Sequence, residues 1–119
     1  MKIAAIKELS NAQVLMEAFQ NAGNFLGFDQ SSLDEIIGNI RPFQHRSKIP
    51  INSKQSEIAH LFIEIYQSLE ALMGDDAEQM KHWMHTYNFH TGGVPADQVK
   101  NIIGIVNVAE YLNSLRTEY

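Results

Sequence analysis

The sequence contains no cysteine among its 119 residues. That absence excludes disulfide bonds, catalysis by a thiol and zinc sites with cysteine ligands. Long hydrophobic runs are missing too, because the apolar residues 3–6 are followed at once by Lys7 and Glu8, well short of the core of a signal peptide. No later run is long enough to span a bilayer, so we expect a cytoplasmic protein with no membrane partner.

Positive charge is scarce, since 9 lysines and arginines stand against 14 aspartates and glutamates, giving a net charge of −5. This balance argues against a protein that coats nucleic acids without sequence preference. Acidic residues are in turn absent between Glu35 and Glu57. The basic residues of this interval are Arg41, Arg46, Lys48 and Lys54, with His45 among them. Any contact with DNA is therefore expected from this basic patch.

Apolar spacing in the first half of the chain predicts two helices that meet at a tight turn. The first spans residues 11–26 and stops at Gly27, a residue favoured after a helix C-terminus. The second is shorter, begins after Asp29 or Ser31 as its cap, and ends before Gly38.

The second half predicts further helices of the same kind. A long core helix runs from Ser53 until Gly74, and a shorter one begins after Asp75 or Asp76, either of which can cap it. A loop is expected at residues 87–93. Since no stretch alternates with period two for long enough to form a strand, the predicted fold class is all-α.

A last helix is expected from Pro95, which suits a first helical turn, to the end of the sequence. Its apolar band is wider than one core stripe and comprises Ile102, Ile105, Val106, Val108, Ala109, Leu112 and Leu115. We expect most of this band in the core and a residual strip on the surface.

Candidate functional residues concentrate just before this helix. Asn88 can tie a turn through its side chain, while Gly92 and Gly93 permit a positive φ or the close approach of another backbone. The loop is thus predicted to be rigid and accessible to a binding partner. Trp83, at helical spacing, is interpreted as a core residue.

Metal binding and catalysis find less support. His82 and His85 can share a helix face and His90 follows in the loop, but the set lacks a clear third ligand, so surface histidines are the default interpretation. The sequence contains no phosphate-binding glycine loop, nucleophile elbow or HExxH helix. We therefore expect a non-catalytic protein without cofactor or metal.

The region from about Leu61 to Arg116 resembles a known family. The residues that carry the resemblance are Trp83, Met84, His85, Thr86, Tyr87, Asn88, Gly92, Gly93, Pro95, Gly104, Val108, Tyr111 and Leu112. Their types and spacing are similar to the C-terminal toxin-binding domain of Xre/MbcA/ParS-type antitoxins. A weaker similarity to the helix-turn-helix part of that family is carried by Ala22, Leu26, Gly27, Leu33, Ile36, Ile37 and Gly38. The expected recognition helix, between residues 39 and 47, departs from the family pattern by holding Pro42.

The resemblance implies a degenerate helix-turn-helix-like region at residues 1–52 and a small helical toxin-binding domain at residues 53–119. It implies a type II antitoxin that blocks the active site of a RES-domain toxin, an enzyme that consumes NAD, and that forms a homodimer within the complex. The predicted toxin-binding residues are Asn88, Gly92, Gly93, Val108, Tyr111, Arg116 and Tyr119. The predicted DNA-binding residues are Arg41, His45, Arg46 and Lys48, which would serve repression of the operon.

Two alternatives stay open. Residues 116–119 are interpreted either as a polar and aromatic tail suited to a cleft or as a frayed terminus. The chain as a whole is interpreted either as this antitoxin or as a stand-alone DNA-binding transcriptional regulator without a toxin partner. The second function depends on the basic patch alone and predicts a strong dependence of operator binding on salt.

Overall fold

The computed structural model describes residues 4–38 and 53–117, with side chains described from residue 11 onward. These residues form six helices: α1 (Ala4–Phe25), α2 (Gln30–Ile37), α3 (Lys54–Met73), α4 (Ala77–Met84), α5 (Pro95–Gln98) and α6 (Ile102–Thr117). The described part of the chain contains no strand, and the predicted all-α fold class is confirmed.

Helices α2, α3 and α4 each begin after a polar residue that caps the helix. Of the two candidates for each helix, Asp29 caps α2 and Asp76 caps α4, and each carboxylate accepts a hydrogen bond from a backbone N–H three residues ahead. Ser53 caps α3 in a reciprocal capping box with Ser56. At its other end α2 closes on Gly38, whose φ of 72° lies in the left-handed region that favours glycine.

Two predicted boundaries are wrong. Helix α1 begins at Ala4 rather than at residue 11, and the helix expected from Pro95 to the end is split into α5 and α6. The split occurs because Asn101 starts a new helix, its Oδ1 accepting a hydrogen bond from the backbone N–H of Gly104 at 2.8 Å. At this break α6 crosses the carbonyl group of Gln98 so closely that a Cβ at residue 104 would overlap its oxygen. Glycine at this position is therefore a packing requirement.

Helix α3 lies at the centre of the fold, between α1 and α6. Phe62 of α3 makes edge-to-face contacts with Phe19 and Phe28, with ring centroids 5.1 and 5.4 Å apart. The largest fully buried side chains come from α1, α2, α3, α4 and α6 and from Leu26 just after α1: Phe19, Leu26, Leu33, Ile37, Phe62, Ile65, Leu69, Met80, Met84 and Ile105. The described helices of both predicted regions thus contribute to one hydrophobic cluster.

Trp83 is half-buried and packs against this cluster, in agreement with its interpretation as a core residue. None of the helices in residues 4–38 and 53–117 combines the length and the hydrophobicity needed to cross a membrane.

Candidate protein-binding surface

The loop of residues 87–93 between α4 and α5 is closed by its own backbone. The N–H of Asn88 donates to the carbonyl of Gly93 at 2.8 Å, and the N–H groups of Gly92 and Gly93 donate back to the carbonyl of Asn88 at 2.8 and 3.2 Å. Gly92 has a φ of 80°, which a residue with a side chain rarely adopts. The loop consequently has one defined path.

The side chain of Asn88 stabilises the same turn from inside. Its Oδ1 accepts hydrogen bonds from the backbone N–H of His90 at 2.8 Å and of Thr91 at 3.0 Å. This arrangement confirms that the asparagine ties the turn and that the glycines supply the required backbone freedom.

Helix α5 fixes the far side of the loop. The amide Nε2 of Gln98 donates to the carbonyl oxygen of Thr91 at 2.7 Å. A Cβ at Gly93 would lie only 2.9 Å from this nitrogen, so glycine here allows the close approach that the sequence suggested. Gln98 therefore contacts the loop through its side chain and the start of α6 through its backbone carbonyl.

The loop presents aromatic side chains to solvent. Phe89 is 83% exposed and Tyr87 is 63% exposed, although both are large and largely apolar. The ring of His90 stacks on Tyr111 of α6 with 5.6 Å between centroids and 13° between planes, and Phe89 meets His90 edge to face at 5.8 Å. We call Tyr87, Phe89, His90 and Tyr111 the aromatic patch.

Sequence reasoning found only Tyr111 of this patch. Phe89, Tyr87 and His90 flank Asn88, but only His90 was interpreted as a surface residue, and none of the three was assigned to the binding of a partner. A usable signal existed, because a short loop closed by glycines runs over the surface and cannot bury three aromatic side chains.

Helix α6 turns one face to the core and leaves an apolar strip outside. Val108 is fully buried on the inner face, so its predicted contact with a partner is corrected: its side chain stabilises the core. A charge placed at Val108 would act by unfolding the protein, because an unpaired buried charge is costly. Ile102 of the predicted band, by contrast, is exposed at the start of α6, and Ile103, which lay outside that band, is exposed beside it.

Arg116 lies in the last turn of α6, and its guanidinium Nη1 donates to Oγ of Ser68 in α3 at 3.1 Å. Since Arg116 and Thr117 are helical, the predicted tail cannot begin before residue 118. Ser68 is fully buried, so this bond fastens the end of α6 to the central helix. A toxin contact of Arg116 stays a prediction.

The remaining predicted site residues lie outside the described residues. These are Tyr119 of the toxin-binding set and the DNA-binding set of Arg41, His45, Arg46 and Lys48. Their roles stay predictions.

The three histidines considered as metal ligands have separate partners. His85 Nε2 lies 2.9 Å from the carbonyl oxygen of Leu26, His82 Nδ1 lies 3.4 Å from Oγ1 of Thr86, and His90 stacks on Tyr111. Among the side chains that the structure describes, in residues 11–38 and 53–117, no three of the types that bind metals gather at one point. His85 thereby connects α4 to the residue that follows α1, and His90 connects the loop to α6.

A helical domain that holds a rigid loop against α6 and displays aromatic rings on it has the architecture of a protein-binding module. Residues 68–117 match the family described as the antitoxin Xre/MbcA/ParS C-terminal toxin-binding domain. The match runs from the end of α3 through α6 and includes the whole aromatic patch. The predicted resemblance to this family is thereby confirmed for residues 68–117. No match to the chain was found among curated proteins.

Proposed function

We propose that this protein is the antitoxin of a type II toxin–antitoxin pair and that it neutralises a RES-type toxin by blocking its active site. The observation that carries the proposal is the family match of residues 68–117, which coincides with the rigid loop and α6. In this proposal the chemistry of NAD belongs entirely to the toxin. The antitoxin is cytoplasmic, performs no catalysis and needs no cofactor.

The proposed inhibition is steric, and the attachment of α6 supports it. Ile105 and Leu112 bury α6 against the core along its length, and the bond from Arg116 to Ser68 fastens its end. A helix held at both points can obstruct a cleft without a large loss of conformational entropy on binding. Residues 118–119, which directly follow α6, are the part of the chain that we assign to the mouth of the toxin's active site.

Removal of residues 118–119 tests this mechanism. The truncation spares Arg116, so α6 keeps its bond to Ser68 and the docking surface stays intact. We expect the truncated chain to bind the protein encoded by the adjacent open reading frame, while NAD consumption by that protein resumes. Replacement of Glu118 and Tyr119 by alanine, which preserves length, is the matched control for side-chain effects. Full neutralisation by both variants would contradict an obstructing terminus.

We further propose that a homodimeric antitoxin, in complex with the toxin, represses its own operon. Support comes from the sequence: the basic patch interrupts an acidic chain, and the first two helices resemble those of a helix-turn-helix. Charge reversal at Arg41 and Arg46 should abolish the mobility shift of promoter DNA, and the wild-type shift should weaken steeply with salt. A mobility shift that is unaffected by the charge reversal and by the salt concentration would exclude this role.

The competing proposal is a stand-alone transcriptional regulator. It shares the DNA-binding prediction but requires no protein partner. Binding of a toxin therefore distinguishes the two functions. Binding of the adjacent gene product by the purified chain favours the antitoxin, while operator binding with no such partner favours the regulator.

A further inference from the structure

We propose that Phe89 is the central anchor of the toxin interface, surrounded by the rest of the aromatic patch, and that the toxin offers an apolar pocket that accepts its phenyl ring. This inference rests on the proposed antitoxin function and adds the specific contact. Neither the family match nor the sequence analysis assigns a role to Phe89.

The first argument is exposure without a structural function. At 83% exposure, Phe89 is the most exposed of the large hydrophobic side chains in the described residues, and its ring contact is with the edge of His90 rather than with the core. Covering an apolar surface of this size removes it from water and lowers the free energy, so a partner that covers the ring gains binding free energy. Aromatic side chains that become fully covered are frequent hot spots of protein interfaces.

The second argument is preorganisation. Phe89 directly follows Asn88, whose backbone and side chain close the turn, and precedes His90, whose N–H is bound by that side chain. The backbone on both sides of the phenyl ring is therefore fixed before any partner arrives. A partner has to immobilise two side-chain torsions only, which keeps the entropic cost of binding small.

The third argument concerns which partner occupies the patch. The stacking of His90 on Tyr111 joins the loop to α6, so the aromatic patch is continuous with the helix assigned to the toxin cleft. All four residues lie within the segment that matches a toxin-binding domain. A groove between α1 and α3 that includes Val14 and Ile63 is lined mainly by residues before that segment. The patch therefore fits the toxin better than the groove does.

The experiment is a binding titration of the full chain against the purified product of the adjacent open reading frame. Phe89→Ala removes the ring from a position outside the core, so its melting temperature should equal that of the wild type. We expect its Kd to rise at least about tenfold, which corresponds to about 1.4 kcal/mol and exceeds the loss caused by most interface residues. Val14→Ala is the matched control, since Val14 is also exposed but lies in the α1–α3 groove; its Kd should stay within about threefold, because it lies outside the proposed contact.

Each outcome decides the matter. A rise of less than tenfold for Phe89→Ala overturns the inference, as does an equal loss in Val14→Ala. If Phe89→Ala changes the oligomeric state of the isolated chain while toxin binding is retained, the patch serves self-association and the inference also fails. If the wild-type chain does not bind the adjacent gene product at all, the proposed antitoxin function fails, which distinguishes that result from a failure confined to Phe89.

Discussion

Replacing Gly104 by alanine tests the tightest contact in the fold. The new Cβ would overlap the carbonyl oxygen of Gln98 and lie 2.7 Å from the carbonyl carbon. Because both atoms belong to the backbone, relief requires a shift of α5 against α6, and overpacking of this kind costs typically about 1–3 kcal/mol. We expect the upper end, about 3 kcal/mol, since no side chain can rotate away.

An opposing term has to be subtracted. Alanine stabilises a helix interior relative to glycine by about 1 kcal/mol, so the net loss should be about 2 kcal/mol. For a chain of this size that corresponds to a fall of the melting temperature by roughly 6–12 °C. Urea unfolding followed by far-ultraviolet circular dichroism and by Trp83 fluorescence gives the free-energy loss, and thermal unfolding followed by circular dichroism gives the melting temperature.

Asn107→Ala is the control for the helix term. Asn107 lies on the exposed face of the same helix, so alanine there should raise stability by roughly 0.5 kcal/mol. If Gly104→Ala stabilises the protein as Asn107→Ala does, the described crossing of α6 over Gln98 is refuted.

Three further predictions concern individual hydrogen bonds. Asn88→Ala should accelerate amide hydrogen exchange at His90 and Thr91, because their N–H groups donate to Asn88 Oδ1. Asn88→Asp keeps an acceptor oxygen and should not accelerate it. Equal exchange rates in the two variants would contradict the role of the side chain. A double-mutant cycle of Ser68→Ala and Arg116→Ala should give a coupling free energy of about 1 kcal/mol in urea unfolding, and additivity would refute the bond. Hydrogen bonds from the backbone and hydroxyl of Ser32 lower the pKa of Asp29 below its ordinary value of 3.8, so the stability advantage over Asp29→Ala should be full above pH 3.8 and shrink as the pH falls further; a constant difference would disprove it.

Local signals in the sequence predicted much of the fold because caps act over three or four residues. Asp29, Ser53 and Asp76 each bind a backbone N–H within one turn, and Gly38 closes a helix by its own conformational freedom. Such effects need no tertiary information. The Asn88 turn belongs to the same class and was predicted for the same reason.

The features that sequence reasoning missed depend on tertiary contacts. The break between α5 and α6 arises from Asn101 and from a crossing that glycine at 104 permits, and no periodicity reveals which backbone lies opposite. The face of Val108 was misjudged because a wide apolar band does not show which of its sides meets the neighbouring helix. Phe89 was missed because single-sequence patterns favour burial for phenylalanine.

The proposed antitoxin function is that this chain inactivates an enzyme that consumes NAD by covering its active site. The direct measurement is the rate of NAD consumption by the purified product of the adjacent open reading frame, titrated with this protein. The account predicts a linear fall of the rate to zero at a fixed stoichiometric ratio, with no NAD consumed by the antitoxin alone. An unchanged rate at saturating antitoxin, or NAD consumption by this chain itself, would contradict the account.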